Sequence, residues 1–370
     1  MKILINGLNS KVGGGKSILN NYLKLLIEKS DTDIYYLVCP DENEYKKFES
    51  TRLKIIRIDK FWKKTALSPI LYLIILPNLI NKFKINSIFN LGDIPIYTKT
   101  KQIYLFDWPY AVYPEYMSLK WMDFKGLIYR KIKFLFFKKL VNLPTHVIAQ
   151  TETMKKRLGL LYNLDNITIV PNAVSLDNFV GGEIKNYNLS QNKNKLLYLT
   201  HYYTHKNIEI LIPVAKHFKK FNLPFVIIIT ISPHQHQRAN KLIKLIKNHK
   251  LESNIINVGP VEMKHVPSLY SQCDGLLMPT LLESFSGTYV ESMYHNKPIF
   301  TSNYDFAIDV CRNTAFYFNP LDSSSIIETI ENAFNNFDEI KLKTSKANKR
   351  LNEMPNWRHT FLSYQKLIKN

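Results

Sequence analysis

Residues 278–293 read MPTLLESFSGTYVESM. An apolar run, DGLLMPT (274–280), ends inside this stretch, and a short loop then carries Glu283. Ser286-Gly287 open a helical pattern that bears Glu291, and a second apolar run, PIFTS (298–302), follows. Parallel strands cannot be joined by a tight turn. They need a crossover of a dozen or more residues, usually a helix. Strand, loop, helix and strand in this order therefore predict a piece of parallel α/β sheet.

The same alternation continues in both directions. Toward the centre of the chain it runs through LLYLT (196–200), a helix in IEILIPVAKHFKKF, FVIIITI (225–231), a helix in RANKLIKLIKNHK, IINVG (255–259) and a helix around VPSLYSQC. The first half shows KILIN, IYYLV, KIIRI, SIFNL, QIYLF and HVIAQ. Continuous β-branched runs separated by helices mark parallel strands buried on both faces. Two α/β units of similar size result, each read as a doubly wound, Rossmann-like domain. Residues 1–175 form the first and 176–350 the second, with 351–370 as a closing helix. The polar stretch SLDNFVGGEIKNYNLSQNKNK (175–195) reads as the linker.

Near the N-terminus, KVGGGKS (11–17) follows the apolar run ILIN. It resembles a nucleoside-triphosphate loop, but that loop needs a glycine five positions before Gly15, where Ser10 stands. A more general reading survives. Gly13, Gly14 and Gly15 at a strand-to-helix turn let backbone N–H groups approach an anion. A tight turn without a ligand is the alternative.

A chain of 370 residues is long for one core, which favours two domains. A hydrophobic share of 45% with 13% aromatics excludes a disordered chain. Cys39, Cys273 and Cys311 fit no metal spacing and suggest a reducing compartment. MKILINGLNS has no long apolar region of the secretory type. The run ALSPILYLIILPNLI (66–80) is too short to span a bilayer, is broken by Pro69 and Pro77, and reads as buried core. The net charge is +20 and uneven: residues 1–175 carry 27 Lys+Arg against 14 Asp+Glu. Such a basic half suggests an anionic partner, whether nucleic acid, membrane surface or phosphorylated substrate.

Taken alone, Glu283 reads as a solvated loop acid and Glu291 as a first-turn helix acid favoured by the dipole. Their context adds to this. The E-x7-E pattern between two strands resembles the nucleotide-sugar site of family 4 retaining glycosyltransferases of the GT-B fold. Further segments match in order. TIVPNAVSLDNF (168–179) is similar to that family's domain-crossing segment, HYYTHKNIEIL (201–211) to its R-x-x-x-x-K-N element, and VIAQTETMKKRL (147–158) to an interdomain helix. VGPVEMKHVPSLYSQCDGLLMPT resembles the approach to the donor loop. NWRHTFLSYQKLI (356–368) resembles the last helix, which in that fold returns to the first domain.

The resemblance implies two Rossmann-like domains facing across a cleft and transfer of a sugar from a nucleotide-sugar donor to a glycan or lipid-linked acceptor, with retention. It places this chemistry in surface-polysaccharide assembly of the lipopolysaccharide type. It implies that Lys206 neutralises the donor diphosphate, that Glu283 accepts from the sugar hydroxyls, and that Glu291 accepts from the ribose. Ser286, Gly287 and Thr288 would bind the phosphates at the helix start, and Gly13–Gly15 the donor phosphate or acceptor. Three departures are evident. The usual E-G-F-G-L-P reads Glu283-Ser284-Phe285-Ser286-Gly287-Thr288; His201 stands where an arginine is usual; and Asp107, in LFDWPYAVYPE, falls where a histidine is usual. A histidine is partly charged at neutral pH, so Lys206 would carry most of the neutralisation. Asp107 either acts on the acceptor hydroxyl or caps a loop. No metal and no cofactor are expected, since charge on the leaving phosphate can be stabilised by Lys206 and the helix at Gly287.

SLKWMDFKGLIYRKIKFLFFKKLV (118–141) mixes seven basic residues with aromatics. A nucleic-acid binder is the competing reading, but no recognition motif for DNA or RNA accompanies it. An amphipathic helix on anionic lipid is preferred, with a solvated basic helix face as the alternative. A cytoplasmic protein, peripheral on the inner face of the membrane, is expected. An epimerase or an inactive copy on the same fold is a further alternative, against which intact Glu283, Glu291 and Lys206 argue.

Overall fold

The computed structural model describes residues 1–64, 67–118, 120–174, 183–189 and 191–370. Much of the predicted linker, and the end of the 168–179 motif, lie outside these residues. The chain divides into two compact units. The first comprises residues 1–173 with 355–370, the second residues 174–354.

The first unit is built on seven strands: β1 (Lys2–Asn6), β2 (Ile34–Val38), β3 (Leu53–Ile55), β4 (Ser87–Asn90), β5 (Lys101–Leu105), β6 (His146–Ala149) and β7 (Ile167–Ile169). Their order is β3-β2-β1-β4-β5-β6-β7, and every pairing is parallel. β1 lies between β2 and β4, with Ile5 beside Leu37 and Phe89. The helix Gly13–Glu28 buries Ile18, Leu19, Tyr22, Leu23 and Leu26, the stripe expected of a 3.6-residue period.

The closing helix, Trp357–Lys369, packs into the same core. Asn356 caps it by accepting from the His359 amide at 3.0 Å. Phe361, Tyr364 and Ile368 are buried, and the Tyr364 ring lies 5.0 Å from that of Phe89. At its far end Lys369 reaches the carboxylates of Asp31, at 3.0 Å, and Asp33. The Ser87 hydroxyl donates to the Ile368 carbonyl at 2.9 Å.

The second unit has six strands: β8 (Asn194–Tyr198), β9 (Phe225–Ile229), β10 (Ile255–Asn257), β11 (Gly275–Met278), β12 (Ile299–Ser302) and β13 (Ala315–Phe318). Their order is β10-β9-β8-β11-β12-β13, again parallel throughout. In each unit the winding reverses once, between β1 and β4 in the first and between β8 and β11 in the second. Ligands of doubly wound sheets bind outside the carboxyl ends of the strands at that point.

Two strands escape a search for apolar runs, β7 and β13. β7 has three residues and overlaps the segment resembling the domain-crossing motif, whereas β13 is as long as β11 and β12. The run 66–80 also differs from expectation. Ser68–Ile70, a wide π turn at Leu71–Ile75 and Leu76–Phe83 form successive helical segments. The wide turn comes just before Pro77, whose ring would clash with the carbonyl of Leu73 in a regular helix. Leu71, Tyr72, Leu76 and Ile80 are core, but Ile70 and Ile74 are 37% and 52% exposed. Only one face of this run is buried.

Candidate active site

The carboxyl edge of the second sheet gathers the charged residues. After β8 the chain makes a 3₁₀ turn, Thr204–Lys206, and passes through Asn207 at φ +54° into a second, Ile208–Ile210. Asparagine tolerates this left-handed conformation better than most residues. Its side-chain amide donates to the carbonyls of Pro279 at 3.2 Å and Pro320 at 2.7 Å. The Leu281 amide donates to the His205 carbonyl at 2.8 Å, and the Tyr198 hydroxyl to that of Lys206 at 2.7 Å. The loops after β8 and β11 are thus tied together by one backbone hydrogen bond and by the Asn207 side chain.

Between these loops Lys206 Nζ donates to the Glu283 carboxylate in an ion pair. The Thr280 hydroxyl donates to the same oxygen at 2.9 Å. The side chains are only 14% and 10% exposed. Leaving one partner of a buried pair without the other costs about 3–5 kcal/mol, so each residue fixes the other.

Three residues after Glu283, Ser286 leads into the helix Gly287–Tyr294. Its hydroxyl bonds that of Thr288 at 2.9 Å and does not cap the helix, which also has no acid in its first turn. The first amides therefore have no partner from that side chain and can serve an anion. Glu291 is the fifth residue of this helix, past the first turn, so the dipole is not its main influence. It is partly buried, and the Tyr270 hydroxyl donates to Oε2 at 3.5 Å. Burial pushes its carboxyl up to about 7, against a smaller lowering by Tyr270.

His201 lies beside the same strand end. Its Nδ1 meets the Gln235 side-chain nitrogen at 2.8 Å. An amide nitrogen donates, so Nδ1 accepts and the ring is the neutral Nε2–H tautomer. Burial lowers the pKa of this histidine. The expected partial charge at neutral pH is correspondingly reduced, which leaves Lys206 as the stronger cation.

In the first unit Gly13, Gly14 and Gly15 form the opening turn of the helix that follows β1, so the helix starts earlier than the apolar pattern implies. Gly13 has φ +60°, and a Cβ on Gly14 would meet nothing within 4 Å. Val12 precedes them without a side-chain cap. Lys16 turns aside to Glu44 at 2.7 Å. Asp107 stands two residues past β5, where it accepts from the Gln150 amide at 3.2 Å. These residues share the carboxyl edge of the seven-stranded sheet.

A further set at that edge is not singled out by motif. Asn6 ends β1 and Asn90 ends β4, and the Asn6 amide donates to Asn90 Oδ1 at 2.8 Å. Asn90 in turn donates to Gln102 at 2.9 Å and to the Ile94 carbonyl at 3.0 Å. The signal was present as two apolar runs, KILIN and SIFN, each closed by asparagine.

Among the described residues no group of three or more His, Cys, Asp or Glu side chains could hold a metal ion. Asp31-Thr32-Asp33 forms an Asp-x-Asp triplet, a pattern able to hold a divalent cation. Its carboxylates are engaged by Lys369, Lys29 and the chain's amino terminus.

Two parallel, Rossmann-like units with their polar residues at the carboxyl edges define an α/β protein of the GT-B fold. Residues 182–351, most of the second unit, match the family model described as "Glycosyl transferases group 1". Solved structures of similar fold include a glycosyltransferase from Rickettsia africae, 16% identical with a TM-score of 0.71, the match covering 100% of this chain and 99% of that one. Anabaena HepE in complex with UDP-glucose is 13% identical with a TM-score of 0.71, over 99% and 98% of the two chains. WaaG, a glycosyltransferase involved in lipopolysaccharide biosynthesis, is 12% identical with a TM-score of 0.72, over 100% of both. No curated protein matches the sequence.

Proposed function

We propose that this protein is a retaining hexosyltransferase of the family 4 type, which moves a sugar from a nucleotide-sugar donor to a glycan or lipid-linked acceptor in bacterial surface-polysaccharide assembly. The observation that carries this reading is the Lys206–Glu283 pair at the reversal point of the second sheet, three residues before an uncapped helix start. A donor diphosphate bound there meets the Lys206 ammonium and the amides from Gly287 and Thr288. As the bond from anomeric carbon to phosphate lengthens, negative charge grows on the leaving oxygen, and these groups stabilise it more than they stabilise the ground state. This positive charge does the work that other sites assign to a divalent cation.

Glu283 is placed to accept hydrogen bonds from the sugar, and Glu291, when ionised, from the ribose. On the first unit Asp107 is assigned to the acceptor hydroxyl and Gly13–Gly15 to acceptor or phosphate. The bound UDP-glucose of HepE and the lipopolysaccharide role of WaaG support this choice of donor and acceptor class.

No described helix is long and apolar enough to cross a membrane. The helix Phe124–Leu140 carries six basic residues, no acidic one, and exposed apolar side chains. We assign it to the anionic inner face of the cytoplasmic membrane, which is consistent with three buried, free cysteines.

A thermal-shift screen of sugar nucleotides tests the assignment. A true donor raises the melting temperature in proportion to RT ln(1+[L]/Kd). Stabilisation by one or a few sugar nucleotides, lost in Glu291→Ala, is the expected result. A screen in which none stabilises the protein overturns the donor site.

A further inference from the structure

The helix Phe124–Leu140 is apolar on two sides. Leu127, Phe137 and Leu140 are buried, whereas Phe124, Ile128, Ile132 and Leu135 are exposed along a second stripe. An exposed apolar patch of this kind marks an interaction surface.

Between this stripe and the Ser68–Ile75 segment lies a cavity of about 300 Å³, lined by Ser68, Pro69, Ile94, Ile128, Ile132 and Phe136. Its walls are almost wholly apolar, and its volume is at the lower end of the range for small-ligand pockets. Two cations border it, Lys125 and Lys133. Lys133 is buried, ion-paired with Asp93, and 4.2 Å from the centre of the Trp108 ring. Its charge is already met from within. Lys125 is exposed, in the first turn of the helix. Lys131, Lys138 and Lys139 extend the exposed positive charge along the same element.

We propose that this cavity takes one aliphatic chain of a phosphate-bearing lipid, with the headgroup phosphate against Lys125. The inference rests on reading this helix as lipid-facing, and it turns adsorption to a surface into capture of a single chain. An apolar slot bordered by the exposed Lys125 suits an amphiphile with an anionic head, whereas a peptide would leave backbone polar groups unpaired against these walls.

Isothermal titration with n-decyl phosphate, below its micelle-forming concentration, tests the proposal, with shorter alkyl phosphates and inorganic phosphate alongside. One alkyl phosphate should bind per chain. Affinity should rise about fourfold per added methylene until the cavity is full and then level off. Inorganic phosphate alone should show no saturable binding. Ile128→Trp, which fills the cavity from a half-exposed position, should weaken decyl phosphate by about tenfold or more. Leu135→Trp, on the same helix but not lining the cavity, should bind like the parent. Should Ile128→Trp not fold, Ile132→Trp and the chain-length series carry the test. Absence of saturable binding by the parent, equal affinity in the filled variant, or equal binding of inorganic phosphate overturns the proposal. Pelleting with anionic vesicles, measured in parallel, separates the two readings. Pelleting without decyl phosphate binding removes the cavity assignment alone, and decyl phosphate binding without pelleting removes the membrane assignment alone.

Discussion

Lys206 and Glu283 are 77 residues apart in the chain, yet their side chains pair across the loops that follow β8 and β11. Those strands are neighbours only because the winding of the six-stranded sheet reverses there. The pair is therefore made by topology, and neither loop could position its charge alone.

Lys206→Ala should lower kcat by about 10²–10³ while changing KM less, because in the proposed reaction the ammonium meets charge that is greatest in the transition state. Steady-state kinetics with the donor found by thermal shift would show it. A variant with near-parent kcat would place the diphosphate elsewhere.

At the proposed donor site, Glu291 should give nucleotide binding a pH dependence. Its carboxyl, raised to about 7 by burial, is protonated below that pH and ionised above it. Only the ionised form accepts from both ribose hydroxyls. Nucleotide affinity should therefore be greatest above about pH 7 and fall up to about tenfold per pH unit below it. Measurements of Kd between about pH 5.5 and 8.5 should show this slope in the parent and a flat line in Glu291→Gln. A slope that persists in Glu291→Gln would assign the titration to another group.

The Lys369 end of the closing helix makes the first unit sensitive to acid. Burial alone would raise the Asp31 carboxyl, but hydrogen bonds from Lys369 and Lys29 hold it at about 2. A carboxyl with a depressed pKa stabilises the fold above its unfolded value. That stability is lost as pH falls between about 4 and 2. Lys369→Ala should cost about 2 kcal/mol at neutral pH and move acid unfolding to higher pH. Far-ultraviolet circular dichroism against pH would read both. Coincident acid transitions for variant and parent would show that Lys29, at 3.1 Å, and the Arg52 guanidinium, at 3.4 Å, suffice for Asp31.

Most strands were legible because a parallel strand buried on both faces is written as an unbroken apolar run. IYYLV and KILIN coincide with β2 and β1 residue for residue. Where that signal is shared with another motif, as in β7, it fails; β13 is as long as β11 and β12 and has no such explanation. Glu283, Glu291 and Lys206 were legible through spacing and a family pattern. Their environments were not, since the partner of Lys206 depends on strand order and the shift of Glu291 on what surrounds it. The same holds for His201, whose tautomer is set by Gln235 from the loop after β9. The run 66–80 differs from expectation because apolar composition does not distinguish a core face from an exposed one.

Gly92 is the sharpest steric constraint at the reversal point of the first sheet. A Cβ at this position would lie 2.1 Å from the Tyr72 hydroxyl and 2.9 Å from both Asn6 Nδ2 and Asn90 Oδ1. None of these atoms can yield easily. Tyr72 is buried, and Asn90 is held by Asn6, by Gln102, by the Ile94 carbonyl and by the Gly92 amide at 2.9 Å. Gly92→Ala should therefore destabilise the first unit by about 1–3 kcal/mol, the usual cost of overpacking a filled site. At roughly 2–4 °C per kcal/mol for a unit of this size, the loss is visible in a thermal melt. Tyr72→Phe removes the closest atom and gives up only two long hydrogen bonds, to Asn6 and Asn9, each at 3.4 Å. The double variant should then melt above Gly92→Ala alone, a coupling expected only when two residues compete for the same space. A Gly92→Ala protein that melts with the parent would mean the asparagine pair moves freely, and the rigid polar edge described for this sheet would have to be given up.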